Sequence, residues 1–140
     1  MKISEHLTLA ELTTSQTAER KKIDNTPSKE VIENLTYTAL NVFEPIRKHF
    51  NTPIRVSSGY RSVKLNKAIG GAATSQHCLG QALDLQGTGS VSNADIYNFV
   101  KKTMVFDQLI WEFGTDLEPS WVHVSIKKEG KNRKQIIRVK

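Results

Sequence analysis

Ser75-Gln-His-Cys-Leu-Gly-Gln-Ala-Leu-Asp84 is the stretch that decides the fold of this 140-residue chain. Its last residues alternate in polarity, which predicts a strand over Ala82 to Gln86 with Leu83 and Leu85 on one face and Asp84 on the other. His77 precedes that strand, and Gly80 marks the loop that carries the histidine. The pattern therefore predicts a histidine-bearing loop that leads into a carboxylate-bearing strand.

A second histidine lies in another predicted strand, Trp121-Val-His-Val-Ser125. Its valines face one side, so His123 must face the other. Two imidazoles and one carboxylate are a typical catalytic zinc set, because three protein ligands leave the fourth tetrahedral position open. Spacing alone leaves two interpretations open: a metal site made by His77, Asp84 and His123, or histidines that are hydrogen-bonded structural residues.

The first third of the chain has the pattern of helices. Thr8 and Glu11 form a capping-box pattern, which predicts a short helix over residues 9–13. Asn25-Thr26-Pro27 predicts the start of a longer helix, because proline suits the first helical position. Pro45 is expected to kink that helix or split its last turn. The core-facing stripe recurs at steps of three and four residues: Val31, Ile32, Leu35, Ala39, Val42, Phe43, Ile46 and Phe50.

Strands dominate the remainder of the chain. They are predicted over Pro53 to Gly59, Gln108 to Phe113, Trp121 to Ile126 and Gln135 to Val139, with a helix capped by Ser92 and Asp95 between the earlier strands. We expect the last strand to pair through a turn at Gly130, as a hairpin. The fold class is therefore α+β, a single domain over residues 1–140 with helices packed on a mostly antiparallel sheet.

Composition excludes several classes of protein. Hydrophobic residues make up 38% and charged residues 24% of the chain, and no apolar run approaches the roughly 20 residues of a membrane-spanning helix. Glu5 and His6 interrupt the region where a signal peptide would be apolar. We therefore expect synthesis in the cytoplasm, no classical export and no membrane insertion. Cys78 is the single cysteine, so the chain has no internal disulfide.

The formal charge of +6 is concentrated near the C-terminus. Residues 127–140 hold seven Lys or Arg and one Glu, without the interleaved aromatic residues of a base-stacking surface. We therefore expect a solvated basic hairpin and no nucleic-acid partner. Such a hairpin would help a protein to stay near an anionic polymer such as a bacterial wall.

The pattern Ser-x-His-x-x-Gly-x-Ala-x-Asp at residues 75–84, followed by the Trp-x-His strand, resembles the zinc D-Ala-D-Ala peptidases of bacteria and phages. That family shares its fold with the lysostaphin-type peptidases and the hedgehog signalling domain. The resemblance also includes Ser57-Ser-Gly-Tyr-Arg-Ser62, Asn66, Leu7 to Leu12 and Asp24 to Pro27, and so extends over nearly the whole chain.

The resemblance implies a zinc peptidase that hydrolyses peptide bonds of the peptidoglycan stem peptide, as a D-Ala-D-Ala carboxypeptidase or as a phage-lysin-like endopeptidase. It implies one zinc ion per chain on the His-Asp-His set and an Arg61 that stands over the substrate carbonyl or carboxylate. Ser75 and Tyr60 are the expected substrate-binding residues, although Ser75 could also simply cap its loop. We expect a monomer that reaches the wall after release from the cell or by an unidentified route.

One departure from the family pattern concerns the catalytic base. Many members carry Asp or Glu three residues before the last histidine, where this chain has Ser120. The candidates for the base are then Glu112, Asp116 and Glu118. Strand parity favours Glu112, which should lie beside His123 in apolar surroundings that raise its pKa.

Two alternatives stay open at this stage. Glu112 could instead be a solvated strand residue or the partner of a lysine. With its base lost, the chain could be a non-catalytic, zinc-containing module that binds the cell wall.

Overall fold

Short strands and helices make up the N-terminal part of the computed structural model, which describes residues 1–140. Strands β1 and β2 pair antiparallel, and the helices α1 to α4 follow. The predicted capping box is confirmed: Thr8 Oγ1 accepts from the Glu11 amide, and the Glu11 carboxylate accepts from the Thr8 amide. The bounds are β1 Lys2–Ser4, β2 Leu7–Thr8, α1 Leu9–Thr13, α2 Gln16–Lys21, α3 Lys29–Thr38 and α4 Glu44–Phe50.

The start of helix α3 corrects the sequence prediction by two residues. The helix begins at Lys29, because the Ser28 hydroxyl accepts a hydrogen bond from the amide of Val31 and caps it. Pro27 therefore lies outside the helix. The predicted apolar stripe is confirmed, and its central members are fully buried: Leu35, Ala39, Val42, Phe43 and Ile46.

A π-helical turn, Ala39–Phe43, joins α3 to α4 without a break in the chain's helical path. It lies just before Pro45, which has no N–H to donate to the preceding turn. The amide of Glu44 bonds to the carbonyl of Ala39 instead, five residues back. The expected disturbance near Pro45 thus takes the form of one widened turn.

The chain from Arg55 onward forms the main sheet. Its strand order is β3-β4-β6-β5-β7, and all neighbours are antiparallel except β5 and β7. The predicted α+β class with a mostly antiparallel sheet is confirmed. The bounds are β3 Arg55–Ser58, α5 Val63–Ala68, β4 Ala82–Gln86, α6 Asn93–Thr103, β5 Gln108–Glu112, β6 Trp121–Ser125 and β7 Gln135–Val139, with a 3-10 turn at Gln76–Leu79.

The two faces of this sheet have different environments. One face packs in the hydrophobic core with helices α3, α4 and α6, and its members include Leu83, Leu85, Leu109, Val122 and Val124. The opposite face carries the polar residues that alternate with these, so it forms the floor of a cleft. None of the helices is long and apolar enough to cross a bilayer.

Strand β7 contradicts the prediction of a C-terminal hairpin. It pairs in parallel with β5, with Gln108 opposite Gln135 and Glu112 opposite Val139, and it does not pair with β6. Because β5 lies between β6 and β7 in the sheet, Gly130 belongs to a longer connection that passes the start of β5. A tight turn predicts only that two strands can pair, whereas the edge available for pairing depends on the whole sheet.

Candidate active site

Three buried side chains from separate parts of the chain meet on the cleft side of the sheet. His77 lies in the 3-10 turn, Asp84 on β4, and His123 on β6 directly opposite Asp84. Their exposed fractions are 2%, 4% and 7%. Their ligand atoms all lie within 4.8 Å of one another. The structure thus assembles the His-Asp-His group that the sequence pattern predicts, and this group could hold a metal ion.

The turn that carries His77 is fixed at both ends. Ser75 Oγ accepts a hydrogen bond from the His77 amide and caps the turn. Gly80 ends it with a φ of +75°, and a Cβ there would lie 2.8 Å from the carbonyl oxygen of Val31. Both the backbone conformation and the close approach therefore require glycine. Because the turn cannot shift, the imidazole of His77 has a set position.

The hydrogen bonds of His77 determine which ring nitrogen is free. Its Nδ1 lies 2.7 Å from the carbonyl oxygen of Gly59. Since a carbonyl only accepts, Nδ1 carries the hydrogen and the neutral ring has its lone pair on Nε2. That Nε2 lies 3.3 Å from Asp84 Oδ1 and makes no hydrogen bond. A lone pair therefore faces a carboxylate oxygen, which is an arrangement that a cation between them would stabilise.

The distances from Asp84 to the two histidines also fit a tetrahedral metal ion. Ligand atoms about 2.0 to 2.1 Å from a tetrahedral zinc are about 3.3 Å apart. His77 Nε2 and Asp84 Oδ1 are 3.3 Å apart, and His123 Nδ1 and Asp84 Oδ1 are 3.2 Å apart. Although burial by itself raises the pKa of Asp84, the neighbouring imidazoles of His77 and His123 lower the pKa overall. Asp84 is thus held as the carboxylate that a metal requires.

Arg61 binds the other oxygen of Asp84. Its Nη2 lies 3.3 Å from Asp84 Oδ2, while Nε donates to Ser58 Oγ and Nη1 donates to Asn66 Oδ1. Asn66 is 3% exposed and is itself fixed by donating to the carbonyl of Ala72. This role of Asn66 was not predicted from the sequence, where the residue is only one position of a family pattern. Arg61 lines the cleft as expected, but it also orients the carboxylate.

Glu112 lies on the cleft side of β5, as strand parity predicts, but it is not directly opposite His123. Ile110 faces His123 across the strands, and Glu112 faces Trp121. Glu112 is therefore on the diagonal, within the reach of a long side chain. Burial raises the pKa of Glu112, and the nearby negative charge of Asp84 raises it further. Arg61 and His123 act in the opposite direction without reversing the shift.

The other candidate bases are engaged away from the cleft. Glu118 accepts a hydrogen bond from the amide of Asn93 at the start of α6. Asp116 is an exposed residue paired with Arg138 at 3.3 Å. Ser120, at the position where many relatives have the base, directs its amide to the carbonyl of Glu112. Apart from Asp84, Glu112 is thus the one carboxylate that lines the cleft.

The remaining predicted residue, Tyr60, does not line the cleft. It is partly buried and packs against the core, its amide donates to the carbonyl of Leu12, and its carbonyl accepts from Asn25 Nδ2. Asn25 also accepts from the Ser62 amide, so these contacts hold the loop before α5. The substrate-binding role of Tyr60 stays a prediction, and its observed contacts are those of a scaffold residue.

The cleft has a volume of about 450 Å³ and is open to solvent on one side. All the buried side-chain polar atoms that lack a hydrogen-bond partner belong to residues that line it: Gln76 Oε1, His77 Nε2, Trp121 Nε1 and His123 Nε2. Such atoms are uncommon in folded proteins, and their concentration here makes the cleft the candidate functional site. Three residues that were not predicted from the sequence also line the cleft: Gln76, Gln108 and Arg133.

A family model described as Peptidase M15 matches residues 5–125 of the chain. None of the curated proteins matches the chain. The matched region contains the whole His-Asp-His group together with Arg61 and Glu112. Because this match spans most of the sequence, the chain belongs to the peptidase M15 family.

Proposed function

We propose that this chain is a zinc peptidase that hydrolyses peptide bonds of the peptidoglycan stem peptide, as a carboxypeptidase or an endopeptidase. The observation that carries the proposal is the buried His77–Asp84–His123 group at the floor of an open cleft that also contains Glu112. Membership of the peptidase M15 family supports peptide hydrolysis. The choice of peptidoglycan as the substrate rests on the resemblance of the motifs.

His77, Asp84 and His123 would hold one zinc ion per chain. Two nitrogens and one oxygen are the donor set of many catalytic zinc sites, in which a fourth position stays open. When bound, zinc lowers the pKa of a water molecule and polarises a peptide carbonyl. Gly59 orients His77 through the Nδ1 hydrogen bond and Arg61 orients Asp84 through Oδ2, so the protein fixes both side chains before any metal arrives.

Glu112 acts as the general base in this proposal. A carboxylate oxygen of Glu112 accepts a proton from the water that attacks the scissile carbonyl, and then gives it to the nitrogen of the leaving amine. The raised pKa of Glu112 suits both steps, because a carboxyl that binds its proton more tightly is a stronger base. Its side chain lines the cleft on the diagonal from His123, so it lies close to the metal-binding group.

Arg61 supplies positive charge near the developing oxyanion. Its side chain is 15% exposed and lines the cleft, so water screens this charge less than it would at the surface. Ser58, Asn66 and Asp84 hold the guanidinium in one orientation, so little reorganisation is needed during the reaction. Ser75 caps the His77 turn and also lines the cleft, where its hydroxyl can still donate a hydrogen bond to a substrate backbone.

Digestion of purified peptidoglycan tests the proposal. Zinc-loaded protein should release peptide fragments whose masses identify the bond that is cut, and chelator-treated protein should release none. A Glu112→Gln variant should retain zinc and release few fragments, while Glu118→Gln serves as the matched control because Glu118 is bonded to the α6 amide. Zinc-loaded protein that sediments with peptidoglycan but cuts nothing would instead identify a non-catalytic wall-binding module.

A further inference from the structure

Arg133 belongs to the segment that follows the family match, and yet it lines the catalytic cleft. It precedes β7, the strand added in parallel to the edge of the sheet. The sequence shows it only as one of several basic residues near the C-terminus. Its position in the fold separates it from the others, because Lys128, Lys131 and Lys134 do not line the cleft.

A buried carboxylate holds Arg133 in place. Asp107 is 0% exposed, and it accepts hydrogen bonds from Arg133 Nε at 3.0 Å and from Nη2 at 2.7 Å. It also accepts one from the Arg133 backbone amide at 2.9 Å. Lys127 Nζ lies 3.7 Å from the same carboxylate. One carboxylate thus faces two cations, so the cluster keeps a net positive charge.

The guanidinium of Arg133 retains a second edge for binding. The pair with Asp107 uses Nε and Nη2, whereas Nη1 makes no hydrogen bond within the protein. The side chain is 50% exposed, so the edge formed by Nη1 and the outer hydrogen of Nη2 is accessible. This fork is the geometry that a carboxylate matches with two parallel hydrogen bonds.

Arg133 and Glu112 mark opposite ends of the cleft along β5. The Arg133 amide bonds to the side chain of Asp107, next to Gln108, whereas Glu112 is the last residue of the strand. Ile110, opposite His123, lies between them. Two residues of strand from Ile110 to Gln108 correspond to about 7 Å, which is also the length of about two residues of an extended peptide.

We propose that Arg133 binds a free carboxylate of the substrate, located one or two residues from the bond that is cut, and so selects acidic peptides over their amidated forms. This inference rests on the proposed peptidase function and assigns the substrate class of the same cleft. The carboxylate has two chemical sources, a side chain or the peptide's own C-terminus. Both present the same planar anion to the guanidinium.

Three synthetic stem peptides distinguish these sources. One has every carboxylate free, one is amidated at the side-chain carboxylate, and one is amidated at the C-terminus. The zinc-loaded wild-type protein should show a kcat/KM about 10- to 100-fold lower for one amidated peptide, the range expected for a charge-assisted pair. The ratio of kcat/KM for the free-acid peptide to kcat/KM for that amidated peptide should fall to about 1 in Arg133→Gln. The reason is that only the free-acid peptide loses a contact.

Two further variants control for folding and charge. Arg133→Lys keeps a cation beside Asp107 but lacks the second edge, so it should fold and also lose the discrimination. Lys131→Gln removes the same charge from an exposed position of the same segment and should keep the wild-type ratio. The inference is refuted if the wild-type protein cuts all three peptides equally, or if Arg133→Lys retains the wild-type ratio. Either result leaves the peptidase proposal intact. Cleavage of none of the peptides refutes the peptidase proposal itself.

Discussion

Replacing Asp107 with asparagine tests how the C-terminal segment is joined to the fold. The carboxylate is fully buried and receives two guanidinium hydrogen bonds and one backbone hydrogen bond from Arg133. The hydrogen bond from the Arg133 side chain is the main cause that lowers the pKa of Asp107 from 3.8 to about 2. An asparagine side chain at this position could accept some of these bonds but would carry no charge, so Asp107→Asn removes the ion pair with little change in shape.

The lowered pKa sets both the size and the sign of the effect. A carboxyl whose pKa falls from 3.8 to about 2 stabilises the folded state by about 2 kcal/mol, at about 1.4 kcal/mol per tenfold change in affinity for the proton. Because Arg133 is 50% exposed, solvent screening reduces this to about 1 to 2 kcal/mol. This contribution is fully present above pH 4 and is lost as the pH falls through about 2.

Urea unfolding at several pH values, followed by tryptophan fluorescence, measures this contribution. The wild-type free energy of unfolding should exceed that of Asp107→Asn above pH 5, and the difference should shrink between pH 4 and pH 2. Both proteins are compared in the same metal-free buffer, so titration of other groups cancels. Asp116→Asn is the matched control, because Asp116 pairs with Arg138 but is 88% exposed. A wild-type-minus-variant difference that does not change with pH would refute the reasoning.

The remaining predictions concern the cleft. Glu112→Gln should keep its zinc and lower kcat on a stem peptide by about 10²- to 10⁴-fold, the usual contribution of a general base, while Glu118→Gln should change kcat little. An impaired Glu118→Gln beside a fully active Glu112→Gln would assign the base to the loop. Wild-type protein should bind one zinc per chain by elemental analysis and melt at a higher temperature with zinc than without it. His77→Ala and His123→Ala should lose this binding, and wild-type zinc content in both variants would refute the ligand assignment. Arg61→Ala should lower kcat by about 10²-fold or more, and Arg61→Lys should recover only part of it, because an ammonium lacks the planar fork. Wild-type kinetics in both Arg61 variants would leave that residue a purely structural role.

Local patterns in the sequence predicted most of the elements correctly. The capping boxes at Thr8 and Ser92 and the strand around Asp84 are confirmed. Each depends on residues within a few positions of one another, so the chain's own hydrogen bonds and side-chain alternation determine it. Parity placed His123 and Glu112 on the polar face of the sheet for the same reason.

Features that join distant segments required the tertiary structure. The partner of β7, the diagonal position of Glu112 and the pairing of Arg133 with Asp107 each depend on which strands lie side by side. Strand polarity and register come from packing the whole core, because a strand can pair with either neighbour at similar local cost. The sequence by itself thus determined which side chains this protein could use for chemistry. The tertiary structure alone decided which of them share one cleft, because only the folded sheet brings strands far apart in sequence within hydrogen-bond distance.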